Sequence, residues 1–236
     1  MVNVFSFCLF GSYNPKYYIG LKENIEIIFD KYPTYHIHVW LGNDIDKDKL
    51  NSLLNNVIIN KELQQKIMFY NLNFTGLIVT LFRFLSIDNP NVDCIFSRDT
   101  DSRINERDMW CIDKFLNSQY LIHVIRDHHG HFVPIMAGLC AFRKELFNKY
   151  NLKFNDIIKK TFNINAEYNY EQYILRLFIY NNFKDLLLVH STKNILNDVN
   201  YENILLEVNK ETFCGQVIDY DDKLNRIYVY DYKDYD

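Results

Sequence analysis

A short apolar run, Val92-Asp93-Cys94-Ile95-Phe96, leads without a spacer into seven polar residues, Ser97-Arg98-Asp99-Thr100-Asp101-Ser102-Arg103. A run of this length reads as a strand. Open parallel sheets bind their ligands outside the carboxyl ends of such strands. The septet therefore stands where a sheet of this kind does its chemistry, and two carboxylates one residue apart can face a common small volume if the backbone turns there.

The rest of the chain supplies the sheet. Residues 2–10 read as a first buried strand, broken by Gly11-Ser12-Tyr13-Asn14-Pro15. A helix is predicted over 17–31, with Leu21, Ile25, Ile28 and Phe29 on one face; Pro33 stops it before a second strand at 35–41. Strand, helix, strand opens an α/β unit. The pattern further predicts helices at 46–54, 75–87, 106–116, 144–150 and 168–180, and strands at 57–59, 92–96, 120–125, 137–142 and 186–189. Residues 217–220 and 226–230 pair as a hairpin. The expected architecture is α/β, a Rossmann-like, mostly parallel sheet flanked by helices, in one domain over residues 1–236 with a small C-terminal hairpin.

Charge and cysteine usage narrow the function. A formal net charge of -4 provides no chain-wide positive field for a nucleic-acid backbone. The five cysteines, Cys8, Cys94, Cys111, Cys140 and Cys214, are scattered and odd in number, which fits a reducing compartment and forms no tight metal-binding pair. No stretch approaches the roughly 18 consecutive apolar residues of a membrane span. The apolar N-terminus lacks the positive start of a signal peptide, and no glycine-rich phosphate loop follows the first strand.

A hard divalent cation takes oxygen ligands and can bridge a carboxylate to a diphosphate that the carboxylate alone would repel. Asp99 and Asp101 are the leading ligands for it. The flanking Arg98 and Arg103 can reach phosphate oxygens with two donors each, or hold the loop through an internal salt bridge. The run Asp127-His128-His129-Gly130-His131 lacks the spacing of a zinc site and reads as sugar or acceptor recognition. Gly138 either lets a donor sugar lie against the backbone or packs closely inside the sheet.

Taken in order, several blocks resemble a family of GT-A glycosyltransferase-like proteins of bacteria and large DNA viruses. They are Phe82-Arg83-Phe84-Leu85, the strand with its septet, His123-Val124-Ile125-Arg126-Asp127-His128, Glu171-Gln172, His190-Ser191 and Phe213-Cys214-Gly215-Gln216. The likeness runs over about residues 5–222. It departs from the family where Glu106-Arg107-Asp108 stands near the usual Arg-Glu, where His129 replaces a proline, and where Glu171 replaces an aspartate.

The resemblance implies the GT-A arrangement and a metal-dependent transfer of sugar from a nucleotide-sugar donor, UDP-linked in the broader family. The acceptor would bear a hydroxyl: a glycan, a protein-linked sugar or a small molecule. It implies Mn2+ or Mg2+ on Asp99 and Asp101, with His190 as a late third ligand that favours manganese; His190 also reads as a histidine at the edge of the core. Arg83 joins Arg98 and Arg103 as a candidate for the diphosphate. An inverting enzyme would place the acceptor proton on Asp127 or Glu171, whereas a retaining one needs no such base. The alternatives are a nucleotide-sugar pyrophosphohydrolase or nucleotidyltransferase, and a carbohydrate-binding protein without catalysis. The expected setting is the cytoplasm, the host's if the chain is viral.

Overall fold

Phe5, Phe7 and Leu9 point to one layer of the molecule while Val4 and Cys8 point to the other, so the first strand is buried on both faces. Around it the computed structural model describes residues 1–55, 57, 61–128, 130–162, 166–204 and 212–229. The elements follow in the order β1 (Val2–Leu9), α1 (Pro15–Lys31), β2 (His36–Leu41), α2 (Lys47–Leu54), α3 (Lys61–Gln64), β3 (Ile67–Asn71), a 3-10 helix (Gly76–Asp88), β4 (Val92–Arg98) and α4 (Glu106–Leu116). Then come β5 (Ile122–Arg126), β6 (Leu139–Arg143), α5 (Lys144–Lys149), α6 (Phe154–Thr161), α7 (Tyr170–Leu175), β7 (Leu187–Ser191), β8 (Tyr201–Asn203), β9 (Ile218–Tyr220) and β10 (Arg226–Tyr228).

Eight strands form one sheet in the order β3-β2-β1-β4-β6-β5-β7-β8, and β9 pairs with β10 as a separate antiparallel hairpin. Every neighbouring pair in the large sheet is parallel except the two made by β6. This is a Rossmann-like GT-A architecture. One face is covered by α1, α2 and α4, through Tyr18, Leu21, Ile25, Leu50, Ile112 and Phe115. The other is covered by the 3-10 helix, α6 and α7, through Val79, Phe84, Phe154, Ile157 and Ile174. Because β1 and β4 are neighbours in space while β2 and β3 lie on the far side of β1, the strand order reverses between them. The crevice outside their carboxyl ends is the switch point where such sheets hold ligands.

Several local expectations change. The helix expected at 75–87 is a 3-10 helix, Gly76–Asp88. Side chains three apart stack in one row in that geometry, and Thr80, Arg83 and Ser86 make such a row, all buried. Ser86 Oγ meets Ser6 Oγ at 2.8 Å and accepts from Trp40 Nε1 at 3.1 Å, which ties the row to β1 and β2. The short strand expected at 57–59 is replaced by a turn at Val57, with 58 and 59 outside the described residues; β3 fills the sheet edge instead. The helix expected at 168–180 starts at Tyr170 and passes into a π-helix, Arg176–Tyr180. β8 and α6 are additional elements. The segment 137–142 enters the sheet antiparallel, as β6. Among the described residues no helix is long and apolar enough to cross a membrane.

Candidate active site

The motif turns because α1 packs beneath it. Asn14 caps that helix, its Oδ1 accepting from Lys16 N at 3.0 Å, and Pro15 at the first position leaves no N–H unsatisfied. One turn on, a Cβ on Gly20 would meet Thr100 O at 1.8 Å, so only glycine lets the helix approach the motif backbone this closely. The buried Asn24 donates to Ser102 O at 2.7 Å and accepts from Ile104 N at 3.1 Å. Glu23 takes Arg103 Nε at 2.6 Å, Arg226 Nη2 at 2.9 Å and Tyr220 Oη at 3.1 Å, joining the helix, the motif loop and the hairpin at one carboxylate. From the other side Ile218 N donates to Asp101 O at 2.8 Å, beside a β-bridge between Ser102 and Val217.

This frame presents Asp99 and Asp101 to a cleft with two lobes. The first, of about 350 Å³, is lined by the end of β1 (Cys8, Leu9, Phe10), Tyr17, Thr80, Glu171 and the motif itself. The second, of about 480 Å³, runs along the loop after β5 and reaches Phe213, Gly215 and Val217. Asp99, Asp101, Tyr168, Asn169 and Gln172 border both. Among the described lining residues of either lobe there is no lysine or arginine. Two cations stand just outside that lining: Lys16, whose Nζ lies 3.8 Å from Asp101 Oδ2, and the buried Arg83, which is bonded to Asp99.

The carboxylates differ in surroundings. The Asp99 side chain is 48 % exposed and accepts from Arg83 Nη1, while that of Asp101 is only 20 % exposed. Burial first, and then the Asp99 charge, push the Asp101 carboxyl up to about 6 against the pull of Lys16. A site that disfavours its own second negative charge is one that a bound cation relieves. Gly138 bears on the same point: a Cβ there would fall 1.8 Å from Asp99 Oδ2, so it is the Asp99 carboxylate that occupies the space a side chain would fill.

Arg83, buried in the 3-10 row, also donates from Nη1 to Arg98 O at 3.3 Å, and its Nη2 stands 3.7 Å from Glu171 Oε1. Thr80 Oγ1 donates to Glu171 Oε2 at 3.1 Å. One guanidinium thus lies between Asp99 and Glu171. Cys8 is buried at the end of β1, and that burial pushes its thiol up to about 12, away from the thiolate.

Four other residues singled out from the sequence lie elsewhere. Arg98 is buried and donates through Nε and Nη2 to Asp108 at 2.9 and 2.7 Å, fastening β4 to α4. Arg103 is directed to Glu23 and Tyr220 rather than into the cleft. Asp127 is fully buried, its carboxylate taking both Nε and Nη2 of Arg107 and the backbone N of Cys214 at 3.0 Å. His190 sits inside β7, with Nδ1 2.7 Å from His123 Nε2 and Nε2 3.3 Å from Glu202 Oε2. Burial lowers its imidazole to about 4, Glu202 opposing, so it is neutral and engaged on both nitrogens. Among the described residues no group of three His, Cys, Asp or Glu side chains comes together as a metal cage. His129 lies outside the described residues.

No family model matches this chain, and no curated protein does. Solved structures do. One is the galactosyltransferase LgtC in complex with donor and acceptor sugar analogs, with TM-score 0.54 and 12 % identity over 81 % of this chain and 74 % of that one. A second is a 4-diphosphocytidyl-2C-methyl-D-erythritol synthase from Anaerococcus prevotii, with TM-score 0.54 and 12 % identity over 80 % and 86 %. A third is the glycosyltransferase GlyE of Streptococcus pneumoniae, with TM-score 0.51 and 18 % identity over 80 % of this chain and 44 % of that one. The chain spans about half the length of the first solved structures it matches. The likeness is one of fold, and that fold is shared with several enzymes of sugar transfer.

Proposed function

We propose that this chain is a metal-dependent glycosyltransferase acting on a nucleotide-sugar donor, UDP-linked, and a hydroxyl-bearing acceptor. The observation that carries the reading is the meeting of Asp99 and Asp101 at the β1/β4 switch point, in a cleft whose described lining has no lysine or arginine. A nucleoside diphosphate entering there needs a counter-charge, and the residues present select a hard cation to provide it.

Asp99 and Asp101 would hold Mn2+ or Mg2+, which when bound would neutralise charge on the departing nucleoside diphosphate. The side chains do the rest. Arg83 holds Asp99 in place from behind. Gly138 leaves room for that carboxylate. Glu171, supported by Thr80 and Arg83, is the acidic residue of the cleft left to accept a proton. The acceptor oxygen bonds to the anomeric carbon, the bond from that carbon to the diphosphate oxygen breaks, and the acceptor hydroxyl proton passes to Glu171. Asp127, locked to Arg107, positions structure rather than substrate in this reading.

A second reading, nucleotidyl transfer, draws on the equal likeness in fold to the diphosphocytidyl-methylerythritol synthase. It fits the charges less well. A triphosphate brings more negative charge than a diphosphate, and of the described cations beside the cleft's carboxylates Lys16 lies 3.8 Å from Asp101 while Arg83 is already engaged by Asp99.

Calorimetry of UDP with and without manganese tests the site: affinity rises at least about ten-fold with the metal, and Asp101→Ala removes that rise. A metal response unchanged in the variant refutes the assignment. Mass spectrometry of products from nucleotide sugars separates the chemistries. Free sugar with nucleoside diphosphate marks transfer to water, whereas nucleoside monophosphate with sugar phosphate marks attack at phosphorus.

A further inference from the structure

The two lobes differ in what they can hold. The second carries Phe132, 61 % exposed and absent from the first, and borders with the first on Tyr168, 84 % exposed, and on Asn169 and Gln172, which bear side-chain amides. A ring covered by the C–H face of a pyranose loses apolar exposure, while amides donate to and accept from hydroxyls on the same sugar. Asn169 holds a left-handed backbone, φ 68, between Tyr168 and the start of α7. Asn tolerates that conformation better than other residues with a side chain, and it places two consecutive residues of the polar and aromatic lining on one tight turn.

Charge sets the ligand class. The described lining of this lobe contains no lysine or arginine; its two imidazoles, His128 and His131, pack against the Phe213 ring, and the charged residues on its border with the first lobe are Asp99 and Asp101. The cation proposed on those carboxylates answers the charge of the diphosphate, and a second phosphate, carboxylate or sulfate has no lysine or arginine in this lining to meet it. A neutral, hydroxyl-rich ring meets amides and aromatic faces.

We infer that the second lobe is an acceptor subsite for an uncharged pyranose, with Phe132 and Tyr168 as stacking surfaces and Asn169 and Gln172 as hydroxyl partners, so that the acceptor is a glycan. The inference rests on the transferase reading for the word acceptor. Its carbohydrate specificity rests on this lobe alone.

Phe132 lines only the second lobe and is therefore the clean probe. Saturation-transfer NMR and calorimetry with methyl glycosides of glucose, galactose, mannose and N-acetylglucosamine are run on the full chain with manganese and UDP. At least one neutral glycoside binds. Phe132→Ala weakens it about ten-fold, Phe132→Trp retains it, and manganese-dependent UDP affinity stays within about two-fold in both variants. No binding of any neutral glycoside, equal binding by Phe132→Ala, or tighter binding of methyl glucuronide than of methyl glucoside overturns the proposal. Glycoside binding that tracks Phe132 in a protein showing no metal response to UDP leaves the sugar site standing and refutes the transferase reading instead.

Discussion

At Asp101 the proposed function and stability oppose each other. An aspartate in the unfolded chain titrates near 3.8, and in the fold this carboxyl is pushed up to about 6, so the native state holds the proton more tightly. Its charge therefore costs nothing below both values and opposes folding increasingly as pH rises from about 4 through 6. Asp101→Asn should raise the unfolding midpoint by roughly 2–6 °C at pH 7.5, with the gain vanishing towards pH 4. Differential scanning calorimetry at both pH values checks it, and a lower midpoint at pH 7.5 contradicts it. The same proton competes with a cation, so manganese affinity in the wild-type chain should fall as pH drops through about 6. The sequence displays the two aspartates openly. It hides the fates of Arg98 and Asp127, because their partners Asp108 and Arg107 come from a helix ten and twenty residues away. An arginine beside an acidic pair reads the same whether it serves a ligand or a neighbouring helix.

Among the elements, α1 matters more to the site than its apolar stripe implies. Its Gly20 faces the carbonyl of the residue between the two aspartates. Replacing a helical glycine by alanine usually stabilises by about 1 kcal/mol. Here a Cβ would overlap a backbone oxygen at 1.8 Å, and forced overpacking costs about 1–3 kcal/mol or more. The clash wins: Gly20→Ala should lower the unfolding midpoint by several degrees and weaken manganese-dependent UDP binding, read by thermal denaturation and calorimetry. A stabilised variant with intact binding disproves the docking role. The strand-helix-strand opening and the hairpin were legible because their periodicities are clean. β3 was not, since its outer face is half exposed at a sheet edge and no turn signal announces it. One clue to the role of α1 did lie in the sequence. Asn24 occupies the buried stripe of an amphipathic helix, between Leu21 and Ile28, and a polar group there must find partners. The 3-10 row was invisible for another reason: an apolar segment carries no mark of three-fold rather than 3.6-fold winding until Thr80, Arg83 and Ser86 are read as one line.

For the whole molecule, residues 212–229 close the site from the far end of the chain. Ile218 holds the Asp101 carbonyl, Phe213 O accepts from Asn105 Nδ2 at 3.1 Å, and Tyr220 joins the Glu23 knot. A chain ending at residue 211 should keep the far-ultraviolet signature of the sheet and lose manganese-dependent UDP binding. Retained binding would show that the hairpin is dispensable. The reversed strand β6 has a further consequence. Because it runs against β4 and β5, the loop that joins β5 to it leaves and re-enters the sheet at the same end of the strands, and His128, Gly130, His131, Phe132, Val133 and Met136 of that loop wall the second lobe. Such a loop is a cassette. Its anchors are the Val133 and Pro134 carbonyls, which Arg126 holds, and the buried Ile135, so the stretch 130–132 is where its length and side chains can change with least disturbance to the strands and where a different partner would be selected.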